Sequence, residues 1–212
     1  MKVPLVRPRL RGVIHQYSFF LSLLAGGTLI ALAAPPARVG VGIYAASLSA
    51  LLGTSAMYHR VTWSVPTRRW VARLDHSMIN VLIAGTYTPF GLSAVAGTTA
   101  SILLLPIWAA AAAGIAMHVL WLDAPKWLSA LTYVVIGWIG AAAMPGLAEQ
   151  LGWGPMWLLL AGGVLYSIGA VVYALQRPNP MPHVFGYHEV FHSLVVIAAV
   201  AHFAAVAMVV HA

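Results

Sequence analysis

Charged residues are scarce in this chain: Asp, Glu, Lys and Arg together make up only 7% of its 212 residues. Ordinary soluble domains carry about 25% charged residues, which keep their surfaces in contact with water. So few charges exclude a soluble enzyme, a disordered protein and a nucleic-acid-binding domain. The net charge of +7 does not favour a nucleic-acid partner, because the basic residues are spread over short connections beside apolar runs. The composition therefore indicates an integral membrane protein.

Cysteine is absent, and the chain has only four Asp and Glu residues. Disulfide bonds and thiolate metal sites are thereby excluded. Nine histidines remain, an unusual number beside so few acids. Any metal site in this protein would have to be built mainly from imidazole.

Apolar residues make up 61% of the chain and fall into seven runs, each near the length that a membrane-spanning helix requires. The absence of period-2 alternation favours α-helices over a β-barrel. We therefore predict an all-α integral membrane protein, a seven-transmembrane helix bundle forming one domain over residues 1–212. The predicted spans are about 16–34, 39–58, 74–95, 98–119, 128–147, 155–175 and 189–211.

The basic residues give the orientation of these spans. Ten of the eleven Lys and Arg residues lie on one side of the predicted bundle, and only Arg38 lies on the other. Because positive residues favour the cytoplasmic side, the N-terminus is predicted to be cytoplasmic and the C-terminus extracytoplasmic. An alternative is that residues 1–33 form a signal peptide with Ala31-Leu32-Ala33 as its cleavage site. Cleavage there would leave six spans in the same orientation.

Three polar clusters interrupt the predicted spans, and such groups are costly inside a membrane and are therefore functional candidates. The predicted topology places all three within about two helical turns of the cytoplasmic face. Agreement in depth between separate segments predicts that they form one site. The clusters are Ser55 with His59, Asp75 with His76 and Ser77, and His188 with Glu189 and His192.

The spacing within these clusters suits a metal. His188 and His192 are four residues apart, so both imidazoles project from one face of a helix, and Ser55 and His59 share that spacing. Three histidines (His59, His188 and His192) with water or a carboxylate in the fourth position are a ligand set typical of Zn²⁺. Asp75 is expected either as the fourth ligand or as the residue that holds a zinc-bound water. Zinc lowers the pKa of such a water to about 7, which favours hydrolysis.

The other histidines are interpreted as structural. His15 begins the first predicted span and is placed at the membrane interface. His76 is expected to face away from the site, since it is rotated by about 100° from its neighbour. His118 is a candidate supporting residue, and His202 lies too deep in the last span for the same metal.

A second interpretation comes from the string His188-Glu189-Val190-Phe191-His192. It matches the H-E-x-x-H motif of metalloproteases, in which the glutamate is the general base. An intramembrane metalloprotease is therefore an alternative, although the motif lies in the last span and His59 is far upstream.

Three motifs in order resemble a known family. They are SAMYHR at residues 55–60, LDHSMI at 74–79 continuing to GTYTPF at 85–90, and HEVFH at 188–192. The chain resembles the haemolysin III-like bacterial branch of the progestin and adiponectin receptor (PAQR) family over essentially its whole length. One departure is that residues 10–14, before His15, lack the acidic, Asn-containing stretch often found in bacterial members.

The resemblance implies a seven-helix bundle with Zn²⁺ near the cytoplasmic face. It implies that His59, His188 and His192 bind the zinc and that Asp75 contacts it through water, with Ser55 as the serine of the Ser-x3-His motif. The family is also similar to alkaline ceramidases, which suggests hydrolysis of a lipid amide.

These observations lead to one function and two further alternatives. We expect a zinc-dependent hydrolase of lipid amides or esters in the plasma membrane, the inner membrane in a bacterium. Asp75 would be the general base, and Ser55 would support the site or polarise a carbonyl. Membrane lipids are the expected partners, with neither nucleic acid nor a soluble protein. The alternatives are a receptor-like regulator with a structural zinc and the cytolytic pore that the family name implies.

Overall fold

Eight α-helices and two short 3-10 helices form the part of the chain that the computed structural model describes. That part comprises residues 8–93 and 98–210, without the side chains of 98–102. The 3-10 helices are Pro35–Ala37 and Gly140–Ala143. The α-helices are α1 (Val13–Leu32), α2 (Arg38–Arg60), α3 (Val65–Ser93), α4 (Thr98–Leu120), α5 (Lys126–Ile139), α6 (Met144–Leu151), α7 (Trp153–Leu175) and α8 (Tyr187–Val209).

Six segments of the described residues are long and apolar enough to cross a membrane. They correspond to α1, α2, α4, α7, α8 and the continuous stretch Lys126–Leu151, which contains α5 and α6. This confirms a multi-pass, all-helical membrane protein. The remaining long helix, α3, does not meet the same criterion, and its first turns carry Arg68, Arg69 and Arg73.

The helix boundaries differ from the predicted spans in two places. The third helix begins at Val65, nine residues before the predicted 74, because the basic connection is itself helical. The predicted span 128–147 is interrupted by the 3-10 helix, where the Tyr87 hydroxyl donates a 2.7 Å hydrogen bond to the Gly137 carbonyl. Because the Gly137 carbonyl accepts this hydrogen bond from a side chain, it does not need a backbone N–H of the next helical turn as its partner, which permits the change from α-helix to 3-10 helix. The predicted ends at residues 95 and 211 lie outside the described residues.

Most helices pack against the next one along the chain, which is the arrangement expected when short connections join antiparallel spans. The pairs α1–α2, α2–α3, α3–α4 and α7–α8 are the most extensive, and α5 packs on α7. Contacts of α8 with α1 and α3 bring the first and last helices together. The cytoplasmic clusters predicted on α2, α3 and α8 are therefore carried by neighbouring helices.

The distribution of polarity is the inverse of that in a soluble protein. Large apolar side chains lie on the outside, where Leu24 is 73% exposed and Leu105 is 72% exposed. Polar side chains lie inside, and Asn80 and Glu189 are buried to 0% and 1% exposure. A hydrocarbon surround favours this arrangement, because polar groups that cannot reach water must find partners within the bundle.

Two adjacent glycines of α1 provide a matched test of this packing. A Cβ on Gly26 would lie 2.9 Å from the Cβ of Ala45 on α2, whereas a Cβ on Gly27 would meet nothing within 4 Å. We expect Gly26→Leu to destabilise the fold by about 1–3 kcal/mol through overpacking and Gly27→Leu to be tolerated. Thermal unfolding of the two variants in detergent measures the difference. Equal midpoints would contradict the close α1–α2 contact.

Candidate metal centre

Three imidazoles from two helices converge at one end of the bundle. His59 is in the last turn of α2, and His188 and His192 are in the first turns of α8. Their potential ligand atoms all lie within 4.8 Å of one another, and His59 Nε2 is 3.1 Å from His188 Nε2. His59 and His192 are buried, and His188 is partly buried. The structure thus shows the predicted meeting of His59 on α2 with His188 and His192 on α8.

This arrangement fits a tetrahedral metal ion. Two nitrogens at Zn–N distances of 2.0–2.1 Å in a tetrahedron lie about 3.3–3.4 Å apart, close to the observed separation of the His59 and His188 nitrogens. Neutral imidazoles are donors suited to zinc, copper, iron and nickel. The group formed by His59, His188 and His192 could therefore hold a metal.

A third helix, α3, contributes the carboxylate. Asp75 Oδ2 lies 3.8 Å from His59 Nε2, and the two side chains are 13% and 9% exposed. At this distance the carboxylate lies beside the three imidazoles, within reach of a metal or of a water next to it. The structure thus brings together the residues predicted from three separate segments.

Ser55 lies one turn before His59 on α2 and is 4% exposed. Its Oγ is 2.8 Å from His15 Nδ1, and it also hydrogen-bonds the side chain of Asp75. The Ser55 hydroxyl is therefore shared between His15 and Asp75. Ser55 fixes the position of Asp75 beside the imidazoles.

His15 is the residue whose predicted position was wrong. Instead of lying at the membrane interface it is 2% exposed, and its ring stacks on that of His192 with centroids 3.8 Å apart and planes 7° apart. The signal was available, because an N-terminus in the cytoplasm puts the start of α1 at the same depth as the other clusters. No motif near His15 in the sequence indicates its contact with His192.

The other histidines are not part of the three-imidazole group. The His76 ring is 5.6 Å from that of His118, and His76 also lines the cavity that Asp75 lines. His202 shares a 3.1 Å hydrogen bond with the backbone carbonyl of Leu159 on α7.

Glu189 has a structural environment. It is 1% exposed, pairs with Arg11, and accepts a 2.8 Å hydrogen bond from the backbone N–H of Gly186 at the start of α8. A carboxylate that caps its own helix and neutralises an arginine is already fully engaged. Its surroundings do not resemble those of a metalloprotease base, although the H-E-x-x-H string is present.

Residues 8–12 pack over the end of the bundle that carries the centre. Arg9 and Leu10 donate backbone hydrogen bonds of 3.0 and 3.1 Å to the carbonyls of His183 and Val184, in the connection before α8. Gly12 then turns the chain with φ +78°, where an added Cβ would lie 2.6 Å from the Cβ of His59. Only a residue without a side chain fits this left-handed turn so close to a ligand.

A cavity extends from the centre into the bundle. His15, Ser55, Asp75, His188 and His192 line its polar end. The rest of the wall is largely apolar and comes from α3, α5, α7 and α8. Such a cavity suits a ligand with one polar reacting group and a hydrocarbon chain.

Comparison with known proteins agrees with the motifs. The family described as "Haemolysin-III related" matches residues 4–203. The chain is 34% identical to the "Hemolysin-3 homolog" of Bacillus subtilis over 78% of this chain and 74% of that protein. It is 36% identical to "Hemolysin-3" of Bacillus cereus over 66% of this chain and 64% of that protein. It is 26% identical to the human "Monocyte to macrophage differentiation factor" over 80% of this chain and 69% of that protein.

The family match covers nearly the whole chain, including every residue of the candidate centre. The apolar helices of the fold and the similarity to bacterial relatives both indicate a multi-pass protein of the cell membrane. The chain therefore belongs to the haemolysin III-related family, the bacterial branch of the progestin and adiponectin receptors.

Proposed function

We propose that the protein is a zinc-dependent hydrolase of lipid amides or esters that acts near the cytoplasmic leaflet. The observation that carries the proposal is a three-histidine group with an adjacent carboxylate at the polar end of a largely apolar cavity. A structural metal site is normally closed by four protein ligands, whereas a hydrolytic zinc site keeps a position open. Three imidazoles beside a carboxylate engaged by Ser55 match the second pattern.

The proposed topology has seven spans, with the N-terminus inside and the C-terminus outside. It is supported by α3, which is 29 residues long and packs against α2, α4, α5 and α8. The polar start of α3 lies at the level of the metal centre, and its apolar part from Met78 onward is long enough to continue across the bilayer. The asymmetry of basic residues then sets the direction.

Each residue of the centre has a distinct part in this proposal. Zinc would supply Lewis acidity and a lowered pKa for a coordinated water. Asp75 would orient the attacking water and accept its proton at Oδ2. Ser55 holds Asp75 through its hydroxyl, and His15 Nδ1 shares a hydrogen bond with Ser55 Oγ while the His15 ring packs flat on His192.

The cavity indicates the class of substrate. Its wall contains side chains such as Leu82, Ile83 and Val195, which suit an acyl chain, and its polar end suits an amide or ester carbonyl. Membrane lipids are the compounds that present both parts at this depth. They are therefore the proposed partners.

A second candidate is a receptor-like regulator in which zinc is structural. The observation that favours it is the packing of residues 8–12 over the end of the bundle that carries the centre, fastened by the Arg11–Glu189 ion pair. In that case the zinc would join α2 to α8, and no hydrolysis would be found.

The metal itself gives the first test of the centre. After dialysis, the purified protein is expected to retain about one tightly bound zinc per chain by elemental analysis. His188→Ala and His192→Ala should each lose it, because removing one of three ligands weakens a zinc site severely. His202→Ala, on the same helix but bonded to Leu159, is the matched control and should keep the ion. Full retention in both ligand variants would reject the centre.

Topology can be tested with single cysteines, because the natural chain contains none. Ala34 and Thr67 are both exposed and lie on opposite sides of the proposed membrane. A membrane-impermeant maleimide should label Ala34→Cys in intact cells and Thr67→Cys only after permeabilisation. The reverse pattern would place the centre on the outer side.

Two isosteric substitutions distinguish the proposed hydrolase from a metalloprotease. Asp75→Asn should lower hydrolysis by about 10²–10⁴, the scale of losing a general base, while zinc is largely retained. Glu189→Gln should leave the rate nearly unchanged but lower stability by about 1–3 kcal/mol, because Arg11 loses its charged partner. The measurements are turnover of a panel of lipid amides and esters, zinc content and thermal unfolding.

The opposite ranking, with turnover abolished by Glu189→Gln, would support the metalloprotease. If the wild type hydrolyses no member of the panel while zinc stays bound, the structural-zinc function becomes the better one.

A further inference from the structure

A second polar pocket, lined by His76, Asn80 and His118, lies between α3, α4 and α5, and His76 also lines the cavity that extends from the three-histidine centre. His76 and Asn80 are four residues apart on α3 and face α4, where His118 lies two residues before the end of the helix. The Tyr133 ring of α5 packs 5.2 Å from the His118 ring. Asn80 is 0% exposed and His118 is 1% exposed.

The polar atoms of this pocket lack partners among the described residues. His76 Nδ1, His118 Nε2 and both side-chain atoms of Asn80 are buried without a hydrogen bond. Buried polar groups in native proteins are nearly always paired, and four such atoms in one pocket are far outside that norm. A polar species bound between them would supply the missing partners.

The chemistry of the pocket favours a metal ion over water alone. It offers two imidazole nitrogens, which are ligands for zinc, copper and nickel, and the amide oxygen of Asn80. The His76 and His118 rings are 5.6 Å apart with an angle of 64° between their planes. The corresponding values within the three-histidine group are 4.4–5.1 Å and 57–71°. The angle between the rings therefore lies within the range of the three-histidine group, while their separation is 0.5 Å longer than its widest pair.

The local sequence of α4 makes room for this arrangement. Gly114 lies one turn before His118, and a Cβ on it would collide with the side-chain oxygen of Asn80. The glycine thus lets the Asn80 amide lie against the backbone of α4, in the same inter-helix space as His118.

We propose that His76, Asn80 and His118 form a second site for a divalent transition-metal ion. Its affinity is lower than that of the three-histidine centre, because it has two imidazoles and a neutral amide in place of three imidazoles and a nearby carboxylate. An ion there joins α3 to α4. Since Asp75 and His76 are consecutive, it also fixes the rotation of α3 that presents Asp75 to the first centre.

Zinc titration of the purified full-length protein tests the second site, with bound zinc counted by equilibrium dialysis and elemental analysis. All proteins carry His183→Ala, which removes an exposed loop histidine. The parent protein should bind about two ions per chain at saturation, the second at least tenfold more weakly. His118→Leu should bind about one, and His202→Leu, the matched control, should still bind two.

The same titration in a His188→Ala background separates the two centres. There, about one zinc ion per chain should bind, and adding His118→Leu or His118→Gln should abolish it. Zinc beyond the first equivalent should raise the unfolding midpoint of the parent protein and leave that of His118→Leu unchanged. A cooperative unfolding transition of His118→Leu shows that this variant is folded. Saturation at one ion, or a second ion that survives both His118 substitutions, would overturn the second site. A different result would reject the three-histidine centre: the number of metal ions bound per chain would then be the same with and without His188→Ala.

Discussion

The exclusion of water from the bilayer is the constraint on which the rest of this structure depends. An imidazole or carboxylate within a membrane helix cannot be solvated by water, so it must meet a partner on another helix. In this chain the polar residues of α1, α2, α3 and α8 meet one another at one end of the bundle. His15, Ser55, Asp75 and the three-histidine group form a continuous polar cluster inside a shell of apolar side chains. The packing of these helices against one another therefore also assembles the site.

Hydrogen bonds link the residues of this cluster. Ser55 Oγ shares one with His15 Nδ1 and also bonds the side chain of Asp75, so the carboxyl group is held by residues outside the three-histidine group. The stack of His15 on His192 holds a ring of α1 flat against a ring of α8. Positioning of this kind keeps the Asp75 carboxyl group beside the three imidazoles without adding a further charged residue to a low-dielectric interior.

Glu189 shows how misleading a short motif is when its surroundings are ignored. The string His188-Glu189-x-x-His192 has the spacing of a metalloprotease, yet two of its residues belong to the three-histidine group and the third caps the helix and pairs with Arg11. Rotation by about 100° per residue is enough to separate these roles. On α3 the same rotation places Asp75 beside His59 and His76 beside His118. One helix thus serves two polar clusters with consecutive residues.

Much of this protein follows from its sequence. Hydrophobic runs and the scarcity of charge indicate membrane helices, because their length and composition are dictated by the thickness of the bilayer. The i, i+4 spacing and the common depth of the clusters predict the meeting of His59, Asp75, His188 and His192, since depth follows from chain direction alone. Tertiary structure alone decided the rotation and lateral neighbours of each helix. For that reason the burial of His15 against His192, the capping role of Glu189 and the facing of His76 to His118 could not be deduced from spacing. A sequence fixes how far along a membrane helix a residue lies, but which neighbour it faces depends on the packing of all the helices together.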